Sequence, residues 1–369
     1  MSRILFISNT SWYLFNHRLN LMQSLEKAGY EVTFLAPYDS YTTKIPFHHH
    51  HLKINSQSVN PFKELILIYM IFRSIRKIKP DLVINFTIKP NIYGALVARI
   101  MSIPFINNVT GLGDSFIKRN LVMKILLLLF RITMPYARMI FFQNRDDLDL
   151  FFTHKLISKN RYDLLPGSGI DLEKFLPRDR EMKNGFIFLL YGRLLRKKGI
   201  VEYVEAARKI KSKYPEVQFN ILGFLDVDNP SAISRTEMQA WHQEGVVKYL
   251  GSTDDVRDFI AESDCIVFPS YYREGVPRVL LEAASMAKPV ITSDSTGCRE
   301  AVDDGSTGFL SIPRNVPDLV NKMEKMINLK PAQRRLMGKK AREKMLHEFN
   351  EKIVIQKYTN YLQMLLKNQ

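Results

Sequence analysis

The sequence alternates short apolar segments with longer amphipathic segments, and it runs through this pattern twice. In the first half, runs such as DLVINF at Asp81–Phe86 are typical of strands buried on both faces of a parallel sheet. The second half restarts the pattern at Phe186–Tyr191. Strands that alternate with helices predict crossover units, so each half is expected to form a doubly wound α/β sheet.

The pattern predicts most elements individually. First-half strands are expected at Arg3–Ser8, Glu31–Ala36, Leu52–Ile54, Asp81–Phe86, Pro104–Val109 and Met139–Gln143. First-half helices are expected at Arg18–Ala28, Pro61–Lys79, Ile92–Met101, Leu121–Ala137 and Arg145–Leu156. Second-half strands are expected at Phe186–Tyr191, Gln218–Leu222, Val246–Leu250, Cys265–Pro269, Pro289–Thr292 and Gly308–Leu310. Long helices are expected at Ala332–Phe349 and Glu351–Lys367.

A chain of 369 residues is long enough for two domains. We predict a first domain over 1–178 and a second over 179–350, with the charged stretch PRDREMKN at 177–184 as the linker. Ligands of doubly wound sheets bind beyond the carboxyl ends of strands. The chemistry is therefore expected in a cleft between the two domains.

The cellular compartment follows from what the sequence lacks. No window reaches the roughly 18 consecutive apolar residues that a spanning helix needs, and the first residues, MSRILFISNT, do not resemble a signal peptide. The two cysteines, Cys265 and Cys298, have neither a metal-ligand nor a redox spacing and are expected to be free buried thiols. These features predict a cytoplasmic protein.

The net charge of +16 calls for an anionic partner. Residues 1–178 hold 23 Lys and Arg against 12 Asp and Glu, so most of the excess lies in the first half. Nucleic acid, an anionic membrane surface and phosphate-bearing substrates all fit such a charge. No nucleic-acid-binding motif is present, so we expect no nucleic-acid partner. The four consecutive histidines His48–His51 are expected at a surface or sheet edge rather than at a metal.

The segment Pro269–Glu282 (PSYYREGVPRVLLE) carries the strongest chemical signal. It places Glu274 in a loop after a strand and Glu282 eight residues later, inside the following helix. Carboxylates accept hydrogen bonds well from pairs of hydroxyl groups. Glu282 lies between apolar neighbours, so it is expected near a buried face where it needs a partner.

The backbone of the same segment suits a phosphate. Gly275 lets the main chain approach a ligand closely, and Pro277 is well placed to begin the helix. The first amides of that helix, around Val276 and Val279, can donate to a phosphate group. A sugar nucleotide combines two hydroxyl-rich rings with a diphosphate and would match both features.

A second motif, YGRLLRKKG at Tyr191–Gly199, follows the first strand of the second half. Gly192 and Arg193 end the strand, and Lys198 stands just before the next helix. Two cations at a strand-to-helix turn suit a leaving diphosphate. Arg196 and Lys197 lie in the same run and are alternative phosphate contacts.

The run E-G-x-P-x-x-x-x-E, together with the G-R and lysine pattern, resembles the signature of retaining glycosyltransferases of family four. The resemblance implies the GT-B fold, with an acceptor-binding domain at 1–178, a donor-binding domain at 179–350 and a helix at 351–369 that returns to the first domain. It implies that Glu274 contacts the transferred sugar, that Glu282 binds the donor ribose, and that Arg193 and Lys198 hold the diphosphate. Glu274, Arg193 and Lys198 are therefore the expected catalytic residues, and the expected donor-binding residues are Glu282, Gly275, Val276, Val279 and Gly192.

The first half departs from the family pattern. The turn Ser8-Asn9-Thr10-Ser11 replaces a common glycine pair, and no histidine follows the strand at Pro104–Val109. The strings NHR at Asn16–Arg18 and VTGLG at Val109–Gly113 are instead similar to a subgroup acting on polyprenyl-diphosphate-linked sugars, which includes bacterial N-acetylgalactosaminyltransferases. The expected acceptor-binding residues are His17 and Arg18, which start a helix after the first strand, together with Lys89, Thr110 and Gly111.

The helix expected at Leu121–Ala137 is apolar over most of its circumference and carries the bases Lys118, Arg119, Lys124, Arg131 and Arg138 in or beside it. It is too short to span a bilayer, so it either lies in a membrane interface or is a core helix. The interfacial interpretation would place the protein at the inner face of the cell membrane.

Together with these features, the resemblance implies a retaining, metal-independent hexosyltransferase without a cofactor. Its donor is expected to be a UDP-sugar, preferably UDP-N-acetylgalactosamine, and its acceptor a sugar linked to undecaprenyl diphosphate. Asp226-x-Asp228 is the nearest approach to a metal-binding aspartate pair. The alternatives are a nucleotide-sugar epimerase or phosphorylase on a similar scaffold and a non-catalytic nucleotide-sugar-binding protein.

Overall fold

The computed structural model describes residues 1–55, 58, 60–113, 121–157, 161–178, 185–225 and 229–366. It divides into two compact units, Met1–Gly169 with Lys352–Gln369, and Ile170–Glu351. The division falls nine residues before the expected end of the first domain at Arg178. The reason is that Ile170, Leu172 and Phe175 pack in the core of the second unit.

The first unit contains a parallel sheet of seven strands in the order β3-β2-β1-β4-β5-β6-β7. The strands are β1 (Arg3–Ile7), β2 (Glu31–Ala36), β3 (His48–His51), β4 (Leu82–Phe86), β5 (Phe105–Val109), β6 (Met139–Phe142) and β7 (Tyr162–Leu164). The helices are α1 (Ser11–Lys27), α2 (Pro61–Ile78), α3 (Ala95–Ile100), α4 (Leu121–Thr133), α5 (Arg145–Thr153) and α12 (Glu351–Leu366). A π-helical turn at Pro90–Gly94 precedes α3.

The second unit contains a parallel sheet of six strands in the order β10-β9-β8-β11-β12-β13. The strands are β8 (Ile187–Tyr191), β9 (Gln218–Leu222), β10 (Lys248–Tyr249), β11 (Cys265–Phe268), β12 (Val290–Ser293) and β13 (Gly308–Ser311). The helices are α6 (Ile200–Lys211), α7 (Arg235–Gln243), α8 (Arg257–Glu262), α9 (Arg278–Ser285), α10 (Val316–Asn328) and α11 (Pro331–Glu348).

Each sheet is covered on both faces. In the first unit, α2, α3, α4 and α5 contribute to the apolar core on one face, while α1 and α12 contribute to the core on the other. In the second unit, α6, α7 and α10 cover one face, and α8 and α9 pack with much of α11 on the other. The central strands β4 and β8 are buried along their whole length, as the unbroken apolar runs predicted. Two doubly wound α/β domains are therefore confirmed.

Several elements differ from the prediction. Strand β7 has no predicted counterpart, β10 is shorter than the expected Val246–Leu250, and two further elements begin at other residues. The strand expected at Leu52–Ile54 is instead formed by His48–His51, which pairs in parallel with β2 at the sheet edge. Leu52 is fully buried beyond the end of that strand, so its apolar character reflects packing rather than strand pairing. The edge position expected for the histidines is confirmed, and the Nε2 atom of His49 lies 2.9 Å from the carbonyl oxygen of Ala36.

Helix α1 begins at Ser11, seven residues before the predicted start at Arg18. Thr10 is its N-cap and accepts a hydrogen bond from the amide of Tyr13 at 3.1 Å. The serine and threonine side chains that replace glycines in this turn thus favour an early helix start. His17 and Arg18, expected at the helix start, consequently lie in its second turn.

Candidate functional site

The residues of both second-half motifs meet where the strand order of the second sheet reverses. Strand β8 lies between β9 and β11, and the two sequence motifs follow the carboxyl ends of β8 and β11. In a parallel sheet this switch point leaves a crevice in which ligands bind. The neighbouring positions of β8 and β11 thus bring together residues that are about 80 positions apart in sequence.

Lys198 and Glu274 form a buried ion pair at this edge. The side chains are only 8% and 13% exposed, and the Lys198 ammonium also faces the rings of Phe268 and Tyr272 at 5.4 and 5.3 Å from their centroids. Burial lowers the pKa of Lys198, an effect that the Glu274 carboxylate opposes. The structure thus joins two of the three predicted catalytic residues directly.

Lys198 is positioned by the turn that follows β8. It ends a 3₁₀ turn at Arg196–Lys198, and Gly199 follows with φ of 80° as the N-cap of α6. A Cβ atom on Gly199 would lie 2.2 Å from the carbonyl oxygen of Pro269, so the two loops touch through their backbones. The carbonyl oxygen of Lys197 accepts hydrogen bonds from the amides of Tyr271 and Tyr272 at 3.1 and 3.2 Å.

Glu282 forms a second buried group with Tyr191 and Arg278. Its Oε1 atom lies 3.2 Å from Nε of Arg278, and its Oε2 atom lies 3.2 Å from the Tyr191 hydroxyl. Burial raises the pKa of Glu282, while Arg278 and Tyr191 act in the opposite direction. The sequence predicted that Glu282 needs a partner, and the structure provides two, Arg278 and Tyr191.

The basic residues that follow β8 have different surroundings. Arg193 is exposed and lies near enough to Lys198 to lower its pKa. Arg196 instead forms an ion pair with Glu237 of α7. Arg193 is therefore better placed than Arg196 to serve a bound anion.

The backbone positions predicted for donor binding surround the same edge. Val279 lies in the first turn of α9, where an amide has no intrahelical acceptor, and its carbonyl oxygen accepts from Tyr191 at 2.9 Å. Gly192 has φ of 131°, and a Cβ atom there would lie 3.5 Å from Cγ2 of Val279. Gly275 lies in the loop before α9, and Val276 is buried in the core beneath it.

The loop after β12 packs directly against the loop that carries Glu274. Gly297 has φ of 83°, and a Cβ atom at that position would lie 2.0 Å from the carbonyl oxygen of Gly275 and 2.8 Å from that of Glu274. The hydroxyl of Ser295 donates to the carbonyl oxygen of Ser270 at 2.7 Å. This close backbone packing holds the loop that carries Glu274 in place.

In the first unit, Arg18 is buried near the carboxyl ends of β1 and β4. It is 2% exposed, and its guanidinium carbon lies 5.0 Å from the centroid of Phe86. Nη2 lies 3.3 Å from the Tyr13 hydroxyl, but Nε and Nη1 have no hydrogen-bond partner among the described residues. A buried cation without a carboxylate partner is costly, and the neighbours of this one are the aromatic side chains of Tyr13, Phe86 and Tyr358.

Other acceptor-binding candidates have different surroundings. Lys89 forms a 2.6 Å ion pair with Glu64, both partly buried, so its charge is already compensated. The ring of His17 lies 4.8 Å from that of Tyr13, with the two planes tilted by 32°. Thr110 and Gly111 follow β5, two strands away from β1.

Sequence reasoning missed four residues of these sites. Arg278 had a readable signal, because it precedes Glu282 by one helical turn. Tyr191 looked like an ordinary strand residue, and Gly297 like a turn glycine. Tyr358 of α12 lies beside Arg18 and donates to the side-chain oxygen of Asn108, an arrangement that no local pattern signals.

Two findings concern metals and membranes. Within the described ranges, no group of three or more His, Cys, Asp or Glu side chains is arranged to hold a metal ion. Asp226 and Asp228 lie outside the described residues, as do Lys118 and Arg119. None of the described helices is long and apolar enough to cross a bilayer.

The chain matches two family models in succession. Residues 3–144 match the model described as "Glycosyl transferase 4-like", and residues 173–344 match "Glycosyl transferases group 1". Among solved structures, sucrose-phosphate synthase from Thermosynechococcus elongatus superposes with a TM-score of 0.84 at 19% identity over the whole of both chains. Anabaena HepE in complex with UDP-glucose gives a TM-score of 0.78 at 17% identity, covering 99% of this chain and all of HepE.

Similar sequences include two enzymes with named acceptors. The N,N'-diacetylbacillosaminyl-diphospho-undecaprenol alpha-1,3-N-acetylgalactosaminyltransferase of Campylobacter jejuni is 28% identical, over 99% of this chain and 100% of that enzyme. The UDP-Gal:alpha-D-GlcNAc-diphosphoundecaprenol alpha-1,3-galactosyltransferase of Escherichia coli is 24% identical, over 80% of this chain and 78% of that enzyme. Both similarities extend across the first and second units.

Proposed function

Since this chain belongs to the family-four glycosyltransferases of the GT-B fold, we propose that it transfers N-acetylgalactosamine from a UDP-sugar to a sugar linked to undecaprenyl diphosphate. The transfer would retain the anomeric configuration and would serve the assembly of a surface polysaccharide or a protein-linked glycan. The names of the Campylobacter and Escherichia relatives support the acceptor class, because both contain a diphosphoundecaprenol-linked sugar.

The observation that carries the proposal is the pairing of two carboxylates with two cations at one switch point. Glu274 and Lys198 lie buried in the loops that follow β11 and β8, and Glu282 and Arg278 lie in α9, the helix after β11. In the proposal, Glu282 binds the hydroxyl pair of the ribose and Glu274 binds hydroxyls of the transferred sugar. Gly192, Gly275 and the amides around Val276 and Val279 border the diphosphate.

The catalytic step follows from these positions. The bond between the anomeric carbon and the diphosphate oxygen breaks, and the acceptor hydroxyl attacks from the same face, which gives retention. The leaving phosphate oxygen takes the proton of that hydroxyl, so no separate protein base is required. Arg193 and Lys198 stabilise the charge that develops on the diphosphate, which is the kind of interaction that lowers a barrier most. With these two cations in place, the proposal includes no metal ion and no cofactor.

On the acceptor side, we assign the diphosphate of the lipid-linked sugar to Arg18. Its guanidinium is buried and only partly hydrogen-bonded, so an anion would offset the cost of its burial. His17 lies next to it on α1, and Thr110 and Gly111 are retained as contacts for the acceptor sugar. Lys89 is kept as a further acceptor contact, since its ion pair with Glu64 is of the same kind as that of Lys198 with Glu274.

The location follows from the acceptor. A polyprenyl diphosphate is held in the bilayer with its diphosphate at the surface, so we propose peripheral association with the inner face of the cell membrane. The exposed apolar side chains and bases of α4 support this location.

A donor screen tests the proposal. Purified protein is incubated in detergent with a synthetic undecaprenyl-diphosphate-linked N-acetylhexosamine and, in turn, UDP-GalNAc, UDP-GlcNAc, UDP-Gal and UDP-Glc. We expect acceptor-dependent UDP release with UDP-GalNAc and a lipid product heavier by one N-acetylhexosamine. Interconversion of UDP-sugars without acceptor would support an epimerase, and donor binding without any turnover would support a non-catalytic protein. Either result would overturn the proposal.

A further inference from the structure

Helix α2 is apolar on two opposite faces, although only one of them meets the core. The inner face, at Leu67, Ile71, Ile75 and Ile78, is at most 7% exposed. The outer face presents large apolar side chains with exposures of 78%, 62%, 59% and 62%, at Phe62, Leu65, Ile66 and Tyr69 respectively. Their spacing places them on one stripe of the helix. Exposed apolar residues grouped in this way indicate an interaction surface.

Helix α4 repeats this arrangement. Phe130 is 1% exposed and packs in the core. On the outer side, Ile125, Leu128 and Ile132 are 48%, 55% and 40% exposed. Of the alternatives left open by the sequence, the core helix is confirmed for one face of α4. The opposite face is exposed, and the interfacial alternative stays a prediction for that face.

The two stripes belong to one surface. Helix α3 lies between α2 and α4 and contacts both, and all three helices pack on the same core. Helices of one layer turn their outer sides in the same direction. Ile100, at the end of α3, is 63% exposed and adds to the same side. We define the outer face as Phe62, Leu65, Ile66, Tyr69, Ile100, Ile125, Leu128 and Ile132.

Within the described helices α2, α3 and α4, the exposed charged residues are all basic. Exposed bases accompany the apolar residues on both helices: Lys63, Arg73, Arg76, Lys77, Lys124 and Arg131. In α2, α3 and α4 the single acidic residue is Glu64, which is 12% exposed and bound to Lys89. Arg73 and Arg76 continue the stripe of Phe62 and Tyr69 towards the C-terminal end of α2. The surface is therefore apolar with a basic border.

From this combination we infer that the outer face docks on an anionic lipid bilayer. Apolar side chains such as Phe62 and Leu128 enter the boundary between headgroups and acyl chains, and the bases meet lipid phosphates. A second copy of the chain is a poorer occupant, since a twofold pairing would bring bases against bases without carboxylates to compensate them. The inference rests on the proposed membrane location and specifies the surface and the lipid chemistry responsible.

Vesicle sedimentation with the full chain tests the inference. We expect binding to vesicles of phosphatidylcholine with phosphatidylglycerol, weak binding to pure phosphatidylcholine, and release by salt. The double variant L65E/I66E on α2 and the double variant I125E/L128E on α4 should each lower the vesicle partition coefficient by about tenfold or more. The matched control is Leu336→Glu on α11, which alters a leucine that is 55% exposed in the second unit.

The same proteins are assayed for sugar transfer to a short-chain, water-soluble acceptor. Variants that lose vesicle binding but keep this transfer would support the inference. Undiminished vesicle binding by both double variants, or an equal loss in the Leu336→Glu control, would overturn it. So would a concentration-dependent dimer that these substitutions dissociate, without vesicle binding by the unsubstituted chain. Vesicle binding without transfer to any acceptor would support the membrane-docking surface but would contradict the proposed function.

Discussion

The hydroxyl of Tyr191 lies 3.2 Å from the Glu282 carboxylate and 2.9 Å from the carbonyl oxygen of Val279. A phenol has one hydrogen, so it donates to one of these oxygens at a time. Tyr191 ends β8, whereas Glu282 and Val279 belong to α9. The last residue of one strand therefore orients the carboxylate that we assign to the donor ribose.

Replacing this carboxylate tests its assignment. We expect Glu282→Ala to weaken UDP-sugar binding by about 10- to 100-fold, since hydrogen bonds to charged groups contribute roughly 1.5–3 kcal/mol. Tyr191→Phe should cause a smaller loss, because the carboxylate remains. Isothermal titration with the donor measures both. Glu343→Ala, at an exposed position of α11, is the control, and equal affinities for the control and the Glu282 variant would refute the assignment.

Arg193 is predicted to act mainly on turnover. Because it would stabilise charge on the leaving diphosphate, Arg193→Ala should raise the barrier by about 2.7–4 kcal/mol, a fall in kcat of roughly 100- to 1000-fold. Arg196→Ala provides a comparison from the same turn, because Arg196 is engaged by Glu237. Steady-state kinetics should show little change in that variant. A similar loss of kcat in both would mean that the diphosphate is not bound by Arg193 specifically.

The pH profile should report on Lys198. Burial lowers its pKa from the ordinary value of 10.5, and the proposed role requires the protonated form. The turnover rate should therefore be maximal below this lowered pKa and should fall as the pH rises through it. Lys198→Arg, whose charge persists above pH ~12, should move the alkaline decline to higher pH while reducing the maximal rate. An alkaline limb that does not move would exclude Lys198 as the titrating group.

Alanine substitutions at two glycines distinguish the effect of backbone strain from the effect of a disturbed site geometry. Gly297 and Gly305 have similar positive φ angles, 83° and 75°, so alanine at either costs about 1–2 kcal/mol in backbone conformation. Only at Gly297 does the new Cβ clash, with the carbonyl oxygens of Gly275 and Glu274. We expect Gly297→Ala to lower kcat/KM by at least about tenfold, while Gly305→Ala loses thermal stability alone. Equal kcat/KM values in the two variants would contradict the supporting role of Gly297.

Arg18 can be tested by changing the acceptor. Arg18→Met removes the charge and keeps an apolar side chain, a change that buried ions often tolerate. We expect a rise of about tenfold or more in KM for the diphosphate-linked acceptor, with little change for an uncharged glycoside of the same sugar. Thermal denaturation confirms folding. A loss of equal size with both acceptors would show that Arg18 does not bind the diphosphate.

Local patterns in the sequence account for the two parallel sheets and for the residues of the second-half motifs. Unbroken apolar runs such as Leu82–Phe86 specify buried parallel strands, and the spacing of Glu274 and Glu282 is a local pattern. The apolar pattern does not set the helix boundaries, because these depend on capping side chains. At α1 the side chain of Thr10 moved the start to Ser11.

Which side chains meet depends on the tertiary structure. Lys198 and Glu274 are 76 residues apart, and Tyr191 and Glu282 are 91 apart. Their contacts exist because β8 and β11 are neighbours in the sheet. Likewise, Tyr358 reaches Arg18 and Asn108 because α12 packs on the first sheet. Local periodicity depends on a few consecutive residues. Strand order depends on how all the apolar faces are buried together, so no short sequence pattern predicts it.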